Sequence, residues 1–198
     1  MRHDAAMIAP HRRFALLIFA LLLTVCAAAG VAYIAVFHLR NFGTVQPGVL
    51  YRSGQLSPAG LQAVLGWYGI NTVVSLRQGP NAAEPTADEW EEPICRQYGA
   101  KMIRIEPRSW IANPGGGLPA EQGVQDFLDI LDEPANRPVL VHCFAGVHRT
   151  GALCAIHRLE SQRWPAERAL MEMEAFGFTP GANRTAIEQY LRGYHPRQ

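Results

Sequence analysis

Between Val139 and His157 the sequence reads VLVHCFAGVHRTGALCAIH. A short apolar, β-branched run ends at His142 and Cys143. Five residues separate that cysteine from Arg149, and helical spacing follows. A buried strand that turns through a tight loop into a helix is the repeating unit of a parallel α/β sheet. Few other folds accommodate it.

The rest of the chain repeats the alternation. INTVVSL, KMIRIE and RPVLVH are predicted strands over residues 70–76, 101–106 and 137–142. Helices are expected at SPAGLQAVLGWYG, with Ser57 as cap, Pro58 at its first position and Gly69 as stop. TADEWEEPICRQYG opens on a capping box, Thr86 with Glu89, and Pro93 must kink or split it. AEQGVQDFLDILD, TGALCAIHRLESQRW, PAERALMEMEAFG and NRTAIEQYLRG, the last capped by Asn183, complete the helices. NFGTVQPGVLYRSGQ reads as a lead-in with turns at Gly43 and Pro47-Gly48, and PRSWIANPGGGLP as a long loop. The expected fold is α/β: a single domain with a central, mostly parallel sheet flanked by helices.

An N-terminal transmembrane helix precedes it. From Phe14 to Leu39 the chain holds no Asp, Glu, Lys or Arg, longer than the roughly 20 residues that span a bilayer core. Arg2, Arg12 and Arg13 precede this stretch, so residues 1–13 are expected in the cytoplasm, 14–39 in the membrane and 41–198 outside it. The alternative is a signal peptide cleaved near CAAAG, releasing a secreted domain. Apolar residues continue from Val31 to Phe37, which favours the retained anchor. Val25 before Cys26 is bulkier than a lipoprotein cleavage site prefers.

Residues 1–40 hold four of the 18 basic and one of the 17 acidic residues. The remainder is therefore slightly acidic and lacks the clustered basic face of a nucleic-acid binder. Outside the anchor stand three cysteines, Cys95, Cys143 and Cys154. An odd number leaves at least one thiol unpaired within the chain. Cys95 and Cys154 read as core residues.

Cys143 has a chemical reason to be free. A tight loop entering a helix turns backbone N–H groups inward, and the helix start adds positive potential. Gly146 admits a conformation other residues avoid, and Arg149 adds a planar fork for two oxygens. The concavity wants a tetrahedral anion. The same field favours the thiolate, and a thiolate under a phosphoryl group is an in-line nucleophile. Thr150 can place its hydroxyl near the sulfur, and His142 can orient the loop by hydrogen bonding. A metal site from Cys143, His148, Cys154 and His157 is disfavoured, since Cys154 and His157 fall within the helix. No metal or cofactor is expected.

HCFAGVHRTG resembles the H-C-x5-R-[ST]-G signature of cysteine-dependent protein tyrosine and dual-specificity phosphatases. GVLYRSGQLSPAGLQAVLGWYGINTVVSLR resembles the opening of a small bacterial, membrane-anchored branch of that family. The resemblance implies Cys143 as nucleophile, Arg149 as phosphate clamp, and Phe144, Ala145, Gly146, Val147, His148 and Arg149 as the cradle. It makes Arg52 structural and places Arg77 at the pocket.

Family members commonly carry an upstream aspartate as general acid, and none lies between Glu106 and Glu121. Glu106, Asn113 and Asp126 are the substitutes, with Asn113 lacking a titratable proton. The implied function is phosphomonoester hydrolysis through a phosphocysteine, foremost of protein phosphotyrosine. The alternatives are a phosphatase of a small metabolite such as an inositol phosphate, or a catalytically weak phospho-binding module. The absence of lysine from FAGVH argues against a highly charged inositide. Trp110 and Gly115–Gly117 fit either a movable lid or an idle loop.

Overall fold

The computed structural model describes residues 10–77, 88–179 and 182–197. The chain divides into two compact units, Met1–Phe37 and His38–Gln198. The first is one helix, α1 (Pro10–Phe37). Its window Phe14–Val31 has a mean hydropathy of 2.7 and is fully exposed within the chain. It is long and apolar enough to cross a membrane, by criteria that a signal sequence also meets.

The second unit is built on five strands: β1 (Gly43–Gln46), β2 (Leu50–Ser53), β3 (Thr72–Ser75), β4 (Lys101–Arg104) and β5 (Val139–His142). They lie in the order β1-β2-β5-β3-β4. All neighbours are parallel except β1 and β2, which form an antiparallel hairpin. This corrects the lead-in. Both strands are only four residues long, and the strand beside β5 contains a charge, Arg52. Alternation signals fail on so short and mixed a run.

Ser53, His142 and Ser75 stand side by side at the carboxyl ends of β2, β5 and β3. Ligands collect at that edge of an open α/β sheet. The strand period of two sends Val73 and Leu140 to one face and Val74 and Val141 to the other. On the first face Leu61, Val64, Leu65 and Cys95 pack. On the second lie Phe127, Leu128, Ile156 and Met173.

Helices α2 (Pro58–Tyr68), α3 (Glu91–Gln97), α4 (Ala120–Asp132), α5 (His148–Gln162), α6 (Ala166–Ala175) and α7 (Ala182–Arg192) cover the sheet. Ser57 accepts from Gly60 N–H at 3.1 Å and Gly69 closes α2 in the left-handed region, φ 57°. Pro93 falls in the first turn of α3, where no intrahelical bond is lost, so the helix starts just before it instead of kinking. Thr86 lies outside the described residues. Helix α7 begins one residue before Asn183, placing that residue inside the first turn.

Candidate active site

Cys143 leaves the end of β5, and Phe144–Val147 form the loop that enters α5. Gly146 adopts φ 74°, and a Cβ there would strike the backbone of Ser53 and Gly54. Only glycine satisfies both demands.

Three successive carbonyls of the loop are held from outside. Gln55 N–H donates to Phe144 O at 3.0 Å, Asn41 Nδ2 to Ala145 O at 2.9 Å, and Arg52 Nη2 to Gly146 O at 2.5 Å. A trans peptide points its N–H opposite its C=O. The N–H groups of Ala145, Gly146 and Val147 therefore turn away from those outside partners, and Gly146 N–H reaches Cys143 Sγ at 3.3 Å. Arg52 is 1% exposed and lies over the Phe176 ring at 3.7 Å.

Cys143 lines a cavity of about 420 Å3 whose floor and walls include Phe144, Ala145, His148, Arg149 and Arg77. Arg149 Nη1 donates to Leu76 O at 3.1 Å, which anchors the guanidinium at the end of the neighbouring strand, on the cavity wall. Thr150 is buried, with its hydroxyl 3.5 Å from Ser53 O and in hydrogen-bond reach of the sulfur.

Burial pushes the Cys143 thiol up. The Thr150 hydroxyl, the Thr150 and Gly146 N–H groups and the Arg149 charge outweigh it, so its pKa falls below the ordinary thiol value. At Cys95 and Cys154 burial outweighs the nearby arginine charges. Burial, seconded by Glu91, raises Cys95 to about 12, and burial raises Cys154 to about 11. All four cysteines are free. Iodoacetamide at mildly acidic to neutral pH is therefore expected to alkylate Cys143 and spare Cys95 and Cys154. Its rate should stay high as pH falls below the ordinary thiol range, and phosphate should protect. Peptide mass mapping checks the site; a rate rising only near the pKa of a free thiol would contradict it.

The residue before the cysteine is held just as firmly. His142 Nε2 lies 2.9 Å from Glu91 Oε2, both side chains being almost fully buried. Gln55 Nε2 donates to the other Glu91 oxygen at 3.1 Å. Nearby Asp88 is buried, accepts from Ser75 Oγ and faces Arg104 Nε at 3.6 Å. Donor atoms of Asp88, Glu91 and His142 fall within 4.8 Å of one another, a spacing that could hold a metal ion. Ser75, Gln55 and Arg104 already engage those carboxylates. The sequence reading passed over Asp88 and Glu91. Their i, i+3 spacing at a helix start was the available signal, and it reads equally well as dipole compensation.

Glu106, Asn113 and Asp126 are not among the residues that line the cavity over Cys143. Glu106 is 68% exposed, 3.7 Å from Arg108 Nη2, and lines an adjoining cavity of about 40 Å3 that shares Trp110 and Arg149 with the one over Cys143. Asn113 is exposed and fixed in a tight turn with Gly116 and Gly117. Asp126 is exposed on α4 and accepts from Gln122. Among the described residues, no carboxylate lines the cavity over Cys143.

A family model described as "DSP-PTPase phosphatase fused to NAD+ Kinase" matches residues 40–189. The chain belongs to the DSP-PTPase family. This DSP-PTPase is 39% identical over 102 residues to the dual specificity protein phosphatase TpbA of Pseudomonas aeruginosa, covering 46% of this chain and 47% of that protein. It is 39% identical over 67 residues to the inositol diphosphatase SIW14 of Saccharomyces cerevisiae, covering 34% of this chain and 23% of that protein. The chain thus spans less than half the length of these relatives. The solved core catalytic domain of SIW14 from S. cerevisiae superposes with TM-score 0.62 at 23% identity, over 80% of this chain and 87% of the other. That likeness shows a shared fold.

Proposed function

We propose that this DSP-PTPase hydrolyses phosphomonoesters through a phosphocysteine on Cys143. The observation that carries the reading is Cys143 Sγ on the cavity, met by the N–H groups of Gly146 and Thr150 and by the Thr150 hydroxyl, with Arg149 on the same wall. Arg149 and the loop from Phe144 to His148 bind the three equatorial oxygens, and Sγ attacks phosphorus in line with the leaving oxygen. The Thr150 hydroxyl then stabilises the sulfur as it leaves to water. His142 and Arg77 act in support, the first by holding the loop and the second from the wall.

With no carboxylate on the cavity among the described residues, the reaction depends on the leaving group. Phenolic oxygens leave without a proton far more readily than alkoxides, which favours phosphotyrosine over phosphoserine and phosphothreonine. A general acid contributes about 10²–10⁴-fold, so an aryl phosphate should outrun an alkyl phosphate by about that factor. Rates of the full chain in detergent on phenyl phosphate and phosphoserine test this. Glu106→Gln should leave the basic limb of the pH profile in place. Loss of that limb would assign Glu106 as the acid, and phosphate binding without turnover would reduce the chain to a binding module.

A second reading is a small phosphorylated metabolite such as an inositol phosphate. It draws on Arg77 and Arg108 along the cavity and on Arg40 over the Phe144 ring, which supply the charge that the loop sequence FAGVH lacks. We also read α1 as a retained anchor holding the phosphatase unit outside the cytoplasmic membrane, on the arginines before it. The mass of the mature N-terminus decides between anchor and cleaved signal.

A further inference from the structure

The ring of Phe144, the first residue after the cysteine, is half exposed and carries two guanidiniums. Arg40 lies 4.2 Å and Arg77 4.9 Å from its centroid. The two charges are therefore no more than about 9 Å apart. Elsewhere Arg96, Arg104, Arg158, Arg192 and Arg197 each meet a carboxylate. Among the described residues, Arg40 and Arg77 meet none. Arg77 Nε is moreover buried without a hydrogen-bond partner.

Like charges gathered on one aromatic ring repel, and the ring's quadrupole offsets only part of that. A scissile phosphoryl group over Cys143 is met by the loop and Arg149, which leaves the rim charge uncompensated. Each guanidinium presents a planar fork suited to two oxygens of a phosphate or carboxylate.

We infer that Arg40 and Arg77, set on the Phe144 ring, form a second anion subsite that takes a phosphate or carboxylate borne by the same substrate as the scissile phosphoryl group. The inference rests on the phosphatase reading for its orientation. It narrows the substrate class to molecules with two neighbouring anionic groups. Arg40 comes from the segment before β1 and Arg77 from the end of β3, so the subsite is assembled by the fold and not by one loop.

The test titrates the full-length Cys143→Ser chain in detergent with inorganic orthophosphate and pyrophosphate by calorimetry. Pyrophosphate is expected to bind at least tenfold tighter, with a steeper salt dependence. Arg40→Gln, added to that protein, should cut the preference to threefold or less, and Arg77→Gln should repeat the effect. An undiminished preference in both variants, or none in the parent, overturns the subsite.

The source of the second anion is separated by turnover in the chain with Cys143 intact. A larger Arg40→Gln loss of kcat/KM on an inositol polyphosphate than on an acidic phosphotyrosine peptide assigns it to small molecules. The reverse assigns it to proteins. An equal loss on phenyl phosphate, which has no second anion, counts against the subsite. Failure of all turnover with the pyrophosphate preference intact would sink the phosphatase reading and leave the subsite standing.

Discussion

Cys143→Ser is expected to lower the turnover of an aryl phosphate by about four orders of magnitude or more, the scale on which removal of a nucleophile acts. The hydrogen bonds of Thr150 and Gly146 and the charge of Arg149 hold a thiolate because a thiol ionises near neutral pH to begin with. An alcohol in the same place remains protonated and cannot attack. The oxyanion contacts are untouched, so orthophosphate should still bind. Initial rates paired with phosphate titration separate the two effects. A variant that retained a tenth of the activity would show that the sulfur takes no part.

Glu91→Ala should be the costliest change away from the cavity. Its carboxylate meets His142 at 2.9 Å, with both side chains at 3% exposure or less, so solvent does not screen the pair. Leaving a buried polar group without its partner costs about 1–3 kcal/mol. For a unit of this size that is a fall in Tm of about 2–12 °C. Gln55 would lose its acceptor as well, and Gln55 also donates to the Phe144 carbonyl. Activity should therefore fall even below the melting range. Glu91→Gln, which keeps an acceptor, should recover part of both. Thermal unfolding in detergent reads the outcome, and a Tm within about 1 °C of the parent would make the pair idle.

The unit from β5 through α5 was legible because its chemistry is local. Apolar strand, cysteine, Gly146 and Arg149 follow one another within a few turns of chain, and each has a reason to sit there. The supports of that unit were not legible. Asn41 and Arg52 reach the loop across 104 and 94 residues. No spacing in the sequence announces such a meeting. Arg52 concealed its own strand, since a charge interrupts the apolar run; the resemblance marks it as structural, but its partners, the Gly146 carbonyl and the Phe176 ring, appear only in the packed chain. Glu106 was raised for its carboxyl group alone, and its place depends on Arg108 and on the course of the loop that follows β4. Composition identifies an acid, but only the packed chain says what it faces.

The three outside bonds to Phe144, Ala145 and Gly146 have a consequence for what such a protein can tell apart. A receptor shaped before its guest arrives spends no free energy on ordering itself. Such a cradle does not itself close on what it has caught, so within it tetrahedral oxyanions of similar size compete on nearly equal terms. Discrimination among substrates must then be exercised at the mouth.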